Sequence, residues 1–153
     1  MAFGILPTRV DTTAQYPLGM EADDPRATDF PGNRIRYVRA DSAVAAGDAV
    51  ILDVAETDQP GAVTPVSAVD QAVEGIAQVA IAADSYGWIC IHGKVLNAKV
   101  GTSVAADDTL VSTATAGTLA TASAADAGDA TSRGRVIKAL DDDTAGVTAV
   151  YIM

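Results

Sequence analysis

Reactive side chains are scarce in this 153-residue chain, which has one histidine, His92, and one cysteine, Cys90. A Cys/His zinc site therefore cannot be assembled, and no disulfide can form within the chain. Aromatic residues make up only 5% of the sequence. That is too few for the aromatic-lined cleft in which paired carboxylates would hydrolyse a sugar. No Gly-x-Ser-x-Gly elbow, Walker loop or dinucleotide fingerprint is present. Hydroxyl nucleophiles abound, but nothing places the single imidazole beside one. The expectation is a protein that is not an enzyme, with no catalytic residue, cofactor or metal site.

Positive charge is also in short supply. Ten Lys and Arg face 20 Asp and Glu, for a net charge of −10. Phosphate backbones and anionic membrane surfaces repel such a chain, so neither nucleic acid nor membrane is an expected partner. The longest apolar stretch, Gly75 to Ile91, is broken by Asp84 and Ser85 and falls short of a membrane span. Met1 to Leu6 lacks the basic start and apolar run of a secretory leader. With a lone cysteine, this points to assembly in a reducing cytoplasm.

What the sequence does contain is Ala, Val, Thr, Gly and Asp. Of its 20 acids, 17 are Asp and only 3 are Glu. Asp favours turns and caps because its short carboxylate bonds nearby backbone amides, whereas Glu suits helix interiors. Val and Thr fit a pleated surface. The expected fold is all-β, a small sandwich or barrel with short strands and many turns. Arg34-Ile-Arg-Tyr-Val-Arg39 alternates with period two. Asp48 to Val54, Thr109 to Thr113 and Thr118 to Ala122 are further strand candidates. Ala62 to Val69 contains Pro65 and reads as an edge strand or a loop. Gly75–Ala83 with Tyr86–His92, and Gly134–Leu140 with Gly146–Ile152, read as hairpins, and Lys94–Val100 as a separate strand. One helical turn is expected near Ser123 to Gly128.

Residues 1–33 differ from the rest, 34–153. They hold four of the six prolines, Pro7, Pro17, Pro25 and Pro31, and their apolar side chains are isolated. Proline removes a donor and biases its neighbour toward extended backbone. The segment reads as an extended arm that docks on something else, as a partly disordered tail, or as a lead-in folded back on its own domain. Over residues 1–40 five arginines cancel five acids, so the whole −10 lies on the body.

The body repeats itself at a period near 60. Val44-Ala-Ala-Gly-Asp-Ala-Val-Ile51 matches Val104-Ala-Ala-Asp-Asp-Thr-Leu-Val111, and each copy leads to a hairpin ending in Ile89-Cys-Ile91 or Val150-Tyr-Ile152. Residues 44–92 and 104–152 therefore read as two related β units. Cys90 and His92 sit two apart on one strand and read as a buried small hydrophobe and a strand-end histidine. Asp23-Asp24, Asp107-Asp108 and Asp141-Asp142-Asp143 read as solvated turns, since none fits a calcium-loop pattern.

Three segments, Val44–Ile51, Glu74-Gly-Ile-Ala-Gln-Val-Ala-Ile81 and Tyr86-Gly-Trp-Ile-Cys-Ile-His-Gly93, together with Val104 to Ala122, resemble the head decoration (cement) proteins of tailed bacteriophages. The resemblance covers about residues 35–153. It implies a β-rich homotrimer on the outer surface of an icosahedral capsid, assembled in the bacterial host cytoplasm. Such a virion protein would bind the major capsid protein and stabilise contacts between its subunits. Phe3, Ile5, Leu6, Tyr16, Leu18 and Phe30 would then be the contact residues to capsid or sibling protomer. Two other classes stay open. A lipoyl- or biotinyl-like carrier domain would need a modified lysine, with Lys94 and Lys99 as candidates, and a surface carbohydrate-binding or adhesion module would need an aromatic strip.

Overall fold

The alternating and Asp/Gly-punctuated segments all become strands. The structure, a computed structural model, describes residues 5–26, 32–55, 61–122 and 134–153. Among the described residues it contains no helix and ten strands: β1 (Glu21–Asp23), β2 (Arg34–Ala40), β3 (Ala49–Leu52), β4 (Ala62–Pro65), β5 (Gly75–Ala77), β6 (Tyr86–Lys99), β7 (Thr109–Ser112), β8 (Leu119–Thr121), β9 (Ile137–Ala139) and β10 (Val147–Ile152). They form one hydrogen-bonded sheet in the order β1-β2-β4-β3-β5-β6-β10-β9-β7-β8. β2 also pairs antiparallel with β6, from Arg39 opposite Tyr86 to Arg34 opposite His92. That pairing closes β2, β4, β3, β5 and the first half of β6 into a five-stranded barrel. The fold is all-β, as the composition requires, and it is a barrel.

Val38, Ala40, Val50, Val63, Ala77, Ile81 and Ile89 fill the barrel and are buried. Its small girth suits short β-branched side chains and alanine, which explains how a chain so poor in aromatics makes a tight core. β4 takes Pro65 at its last position, opposite Val50, where a missing N–H costs least.

β6 is longer than its sequence suggests. The two strands expected at Tyr86–His92 and Lys94–Val100 are one strand of 14 residues. Gly93 joins them at φ +102°, a conformation that L side chains resist. The Asn33 carboxamide fills the space beside it and copies a strand partner. Its Oδ1 accepts from the Lys94 N–H and its Nδ2 donates to the Lys94 carbonyl, both at 2.7 Å.

The second half of β6 begins another unit built as the first. It pairs antiparallel with β10, and β10–β9, β9–β7 and β7–β8 follow. Val100 bridges Leu119 in parallel, as Ala40 pairs with Val63 in the first unit. The turns agree bond for bond. Ala45 N–H donates to Asp48 Oδ2 at 2.7 Å, and Ala105 N–H to Asp108 Oδ2 at 2.9 Å. Gly47 N–H reaches Ala77 O as Asp107 N–H reaches Ala139 O. Arg39 opposite Tyr86 corresponds to Lys99 opposite Val147. The correspondence thus extends upstream of residues 44 and 104, to 34–40 and 94–100. The last strand of the first barrel continues as the first strand of the second. Ala49, Val66, Val73, Ile76 and Cys90 join the second unit's Leu110, Leu119, Ile137 and Ile152 in one buried cluster.

Both expected hairpins form, with first strands cut to Gly75–Ala77 and Ile137–Ala139. The helical turn expected at Ser123 to Gly128 lies outside the described residues.

Gly47 (φ +86°) lies against the shared strand, and a Cβ there would sit 2.2 Å from the Asn97 carbonyl oxygen; Gly19 (φ +81°) faces open space. Gly19→Ala is expected to cost about 1 kcal/mol from its backbone conformation alone. Gly47→Ala should cost at least twice that, because β6 must move. Urea unfolding of the two variants checks the difference.

Candidate interaction surface

The outer face of the first barrel carries the largest side chains. Tyr37 on β2 and Trp88 on β6 are directly opposite and buried, with ring centroids 5.0 Å apart. Residues 5–26 cover them. The Tyr16 ring stands edge-on to Tyr37 at 5.2 Å and tilted over Trp88 at 5.3 Å. Gly19 N–H bonds Tyr37 O, Tyr37 N–H bonds Met20 O, and β1 continues the pairing along β2. Arg9 Nε reaches Asp11 Oδ1 at 2.5 Å, and the Tyr37 hydroxyl donates to Asp11 Oδ2 at 3.2 Å. Burial raises the Tyr37 pKa, and Asp11 adds to it.

For the residues described, this placement corrects the reading as an arm that docks on something else and matches the lead-in folded back on its own domain. Ile5 is buried on Ile35, Tyr37 and Trp88, and Tyr16 and Leu18 are half-buried on the same cluster. The physical reason is plain: β2 and β6 leave aromatic rings on the outside of a closed barrel, and the nearest apolar side chains in sequence cover them. Leu6 alone of the four described candidates faces outward, at 56% exposure. Phe3 and Phe30 lie outside the described residues.

Charge pairs tie the segment down further. Arg36 bonds both Glu21 and Glu74, Arg34 Nη2 bonds Glu21 Oε2 at 2.8 Å, and Arg26 Nη2 bonds the buried Asp24 at 2.6 Å. The hydrogen bond from Arg36 holds the Glu21 carboxyl below its ordinary value, helped by the charges of Arg36, Arg34 and Arg135.

Among the described residues the sequence candidates for chemistry lie apart from one another. Cys90 is fully buried, and burial pushes its thiol up to about 11, too high for a reactive thiolate near neutrality. His92 packs its ring edge-on to Tyr151 at 5.7 Å. Asp48 accepts from Lys99 Nζ at 2.5 Å, and Asp142 and Asp143 accept from the backbone N–H groups of Ala106 and Val104. Asp108 is held below its ordinary value by the Ala105 N–H and the Thr121 hydroxyl. Among the described residues, no three His, Cys, Asp or Glu side chains are grouped to hold a metal ion. Lys94 and Lys99 lie within β6, away from any hairpin tip.

Two exposed apolar areas escaped the sequence reading. One comprises Leu52 and Val54 beside a cavity of about 310 Å³ lined by Ile51, Gln71, Ala72 and Glu74. The other is Leu96 with Val147, beside a cavity of about 210 Å³ that Asp141, Asp142, Thr144, Thr148 and Ala149 also line. No local pattern marks them: Leu52, Leu96 and Val147 sit in strands as buried residues do, and Val54 follows β3 in a turn.

No protein-family model matches the sequence, and no curated protein does. Among solved structures the fold is similar to the head fiber gp8.5 N base in bacteriophage phi29, with a TM-score of 0.55 and 15% identity over 78% of this chain and 92% of that one.

Tyr16→Ala should cost about 2 kcal/mol by uncovering two rings, and Leu6→Ala under about 0.5; chemical denaturation separates them. A carboxyl whose folded pKa is lowered stabilises above its unfolded value and loses that stabilisation as pH falls through the folded one. Pairing of β1 with β2 should therefore loosen below about pH 4, and amide exchange in Glu21–Asp23 should rise before that in β6.

Proposed function

We propose that this chain is a structural protein of a phage virion, seated on the outside of the icosahedral head. There it binds the major capsid protein and stabilises contacts between its subunits. The observation that carries this is the fold's likeness to the base of a phage head fiber over most of both chains. The acidic body, the buried thiol and the scattered carboxylates agree with a binding role without catalysis. A homotrimer suits the reading, since three weak contacts on one particle give tight attachment. The same neighbour favours a second reading, in which the barrels form a base from which a longer fibre projects.

Attachment cannot be tested by deleting residues 2–30, because Tyr16, Leu18 and Met20 cover the first barrel and their loss would unfold it. The test uses the intact chain. Tagged protein mixed with phage heads lacking it should co-sediment with them and raise the temperature at which they release DNA. A bound protein that leaves that temperature unchanged would favour the fibre base over the stabiliser, and no co-sedimentation would reject both. Light scattering should give three times the 15.5 kDa chain mass; a monomer would reject a preformed trimer.

A further inference from the structure

The two barrels differ at one corresponding place. In the first, Tyr37 lies opposite Trp88 and residues 5–23 cover both rings. In the second, Val95 pairs with Val150 and Ala98 with Thr148, so Leu96 and Asn97 lie opposite Ala149. Small residues stand there in place of two large rings, and a cleft of about 210 Å³ opens between Leu96, Val147, Thr148 and Ala149. Leu96 is 48% exposed and Val147 39%. Leu140, 45% exposed, is tied to the same strand by its N–H to Ala149 O at 2.7 Å.

We propose that this cleft of the second barrel is a docking site for an extended, lysine- or arginine-bearing segment of a different protein. The first barrel supplies the precedent: residues 5–26 seat apolar side chains at intervals on the equivalent face and add β1 as a short strand along β2. Charge decides the partner's chemistry. Asp141 and Asp142 wall the cleft, both exposed and without an ion pair among the described residues. A second copy's residues 5–26 carry four acids, Asp11, Glu21, Asp23 and Asp24, against Arg9 and Arg26, so this wall repels them. A basic segment gains what that one loses.

The test uses the full chain, isotope-labelled, and two synthetic peptides of alternating leucine or tyrosine and charged residues, one with lysines and one with glutamates. The lysine peptide should move the amide signals of Leu96, Asn97, Thr148 and Ala149. The glutamate peptide should bind at least about tenfold more weakly. Leu96→Lys with Val147→Lys, both at exposed positions, should abolish the shifts while leaving the rest of the spectrum in place. Shifts centred on Leu52 and Val54, equal binding of both peptides, or no shifts at all would overturn the proposal. Concentration-dependent shifts of the same signals without peptide, with a doubled mass, would give the cleft to a second copy instead.

Discussion

Everything in this molecule hangs on one strand. β6 closes the first barrel with its first half and opens the second with its last half. A closed barrel removes the exposed edges that make short strands a liability, but closure normally needs its own full set of strands. Sharing β6 lets two closures fit within residues 34–153. The cost falls on the junction, where Gly93 must take a positive φ and Gly47 must lie in contact with the Asn97 carbonyl. Asn33 meets the remaining need by giving Lys94 the two bonds that a neighbouring strand would.

The shared strand also accounts for the asymmetry between the units. The first barrel presents tyrosine and tryptophan outward, and these need cover. Residues 5–26 provide it, with Pro7, Pro17 and Pro25 at its turns and Glu21 anchored on Arg34 and Arg36 of β2. The second barrel replaces those rings with Asn97 and Ala149, so the chain has no large ring to cover there. One unit's aromatic face is covered from within the chain, and the other's leaves Leu96 and Val147 exposed.

The Cys90 thiol is buried, and Asp48, Asp108, Asp142 and Asp143 each accept a backbone N–H at a turn. The proposed role on a phage head is of the kind such a molecule can fill, one of contact and rigidity.

The local half of this picture is legible in the order of residues alone. Period-two alternation, Asp- and Gly-marked turns and an excess of Asp over Glu dictate short strands and hairpins, because these features act within a few residues. The matching Val44–Ile51 and Val104–Val111 segments made the duplication legible for the same reason. That β2 returns to β6, and that β6 belongs to both units, emerges only on folding, since those pairings join residues 47 or more positions apart. Folding also decides where Ile5, Tyr16 and Leu18 go. Isolated apolar side chains in an extended segment carry no address, and their place is fixed by the aromatic face that folding creates.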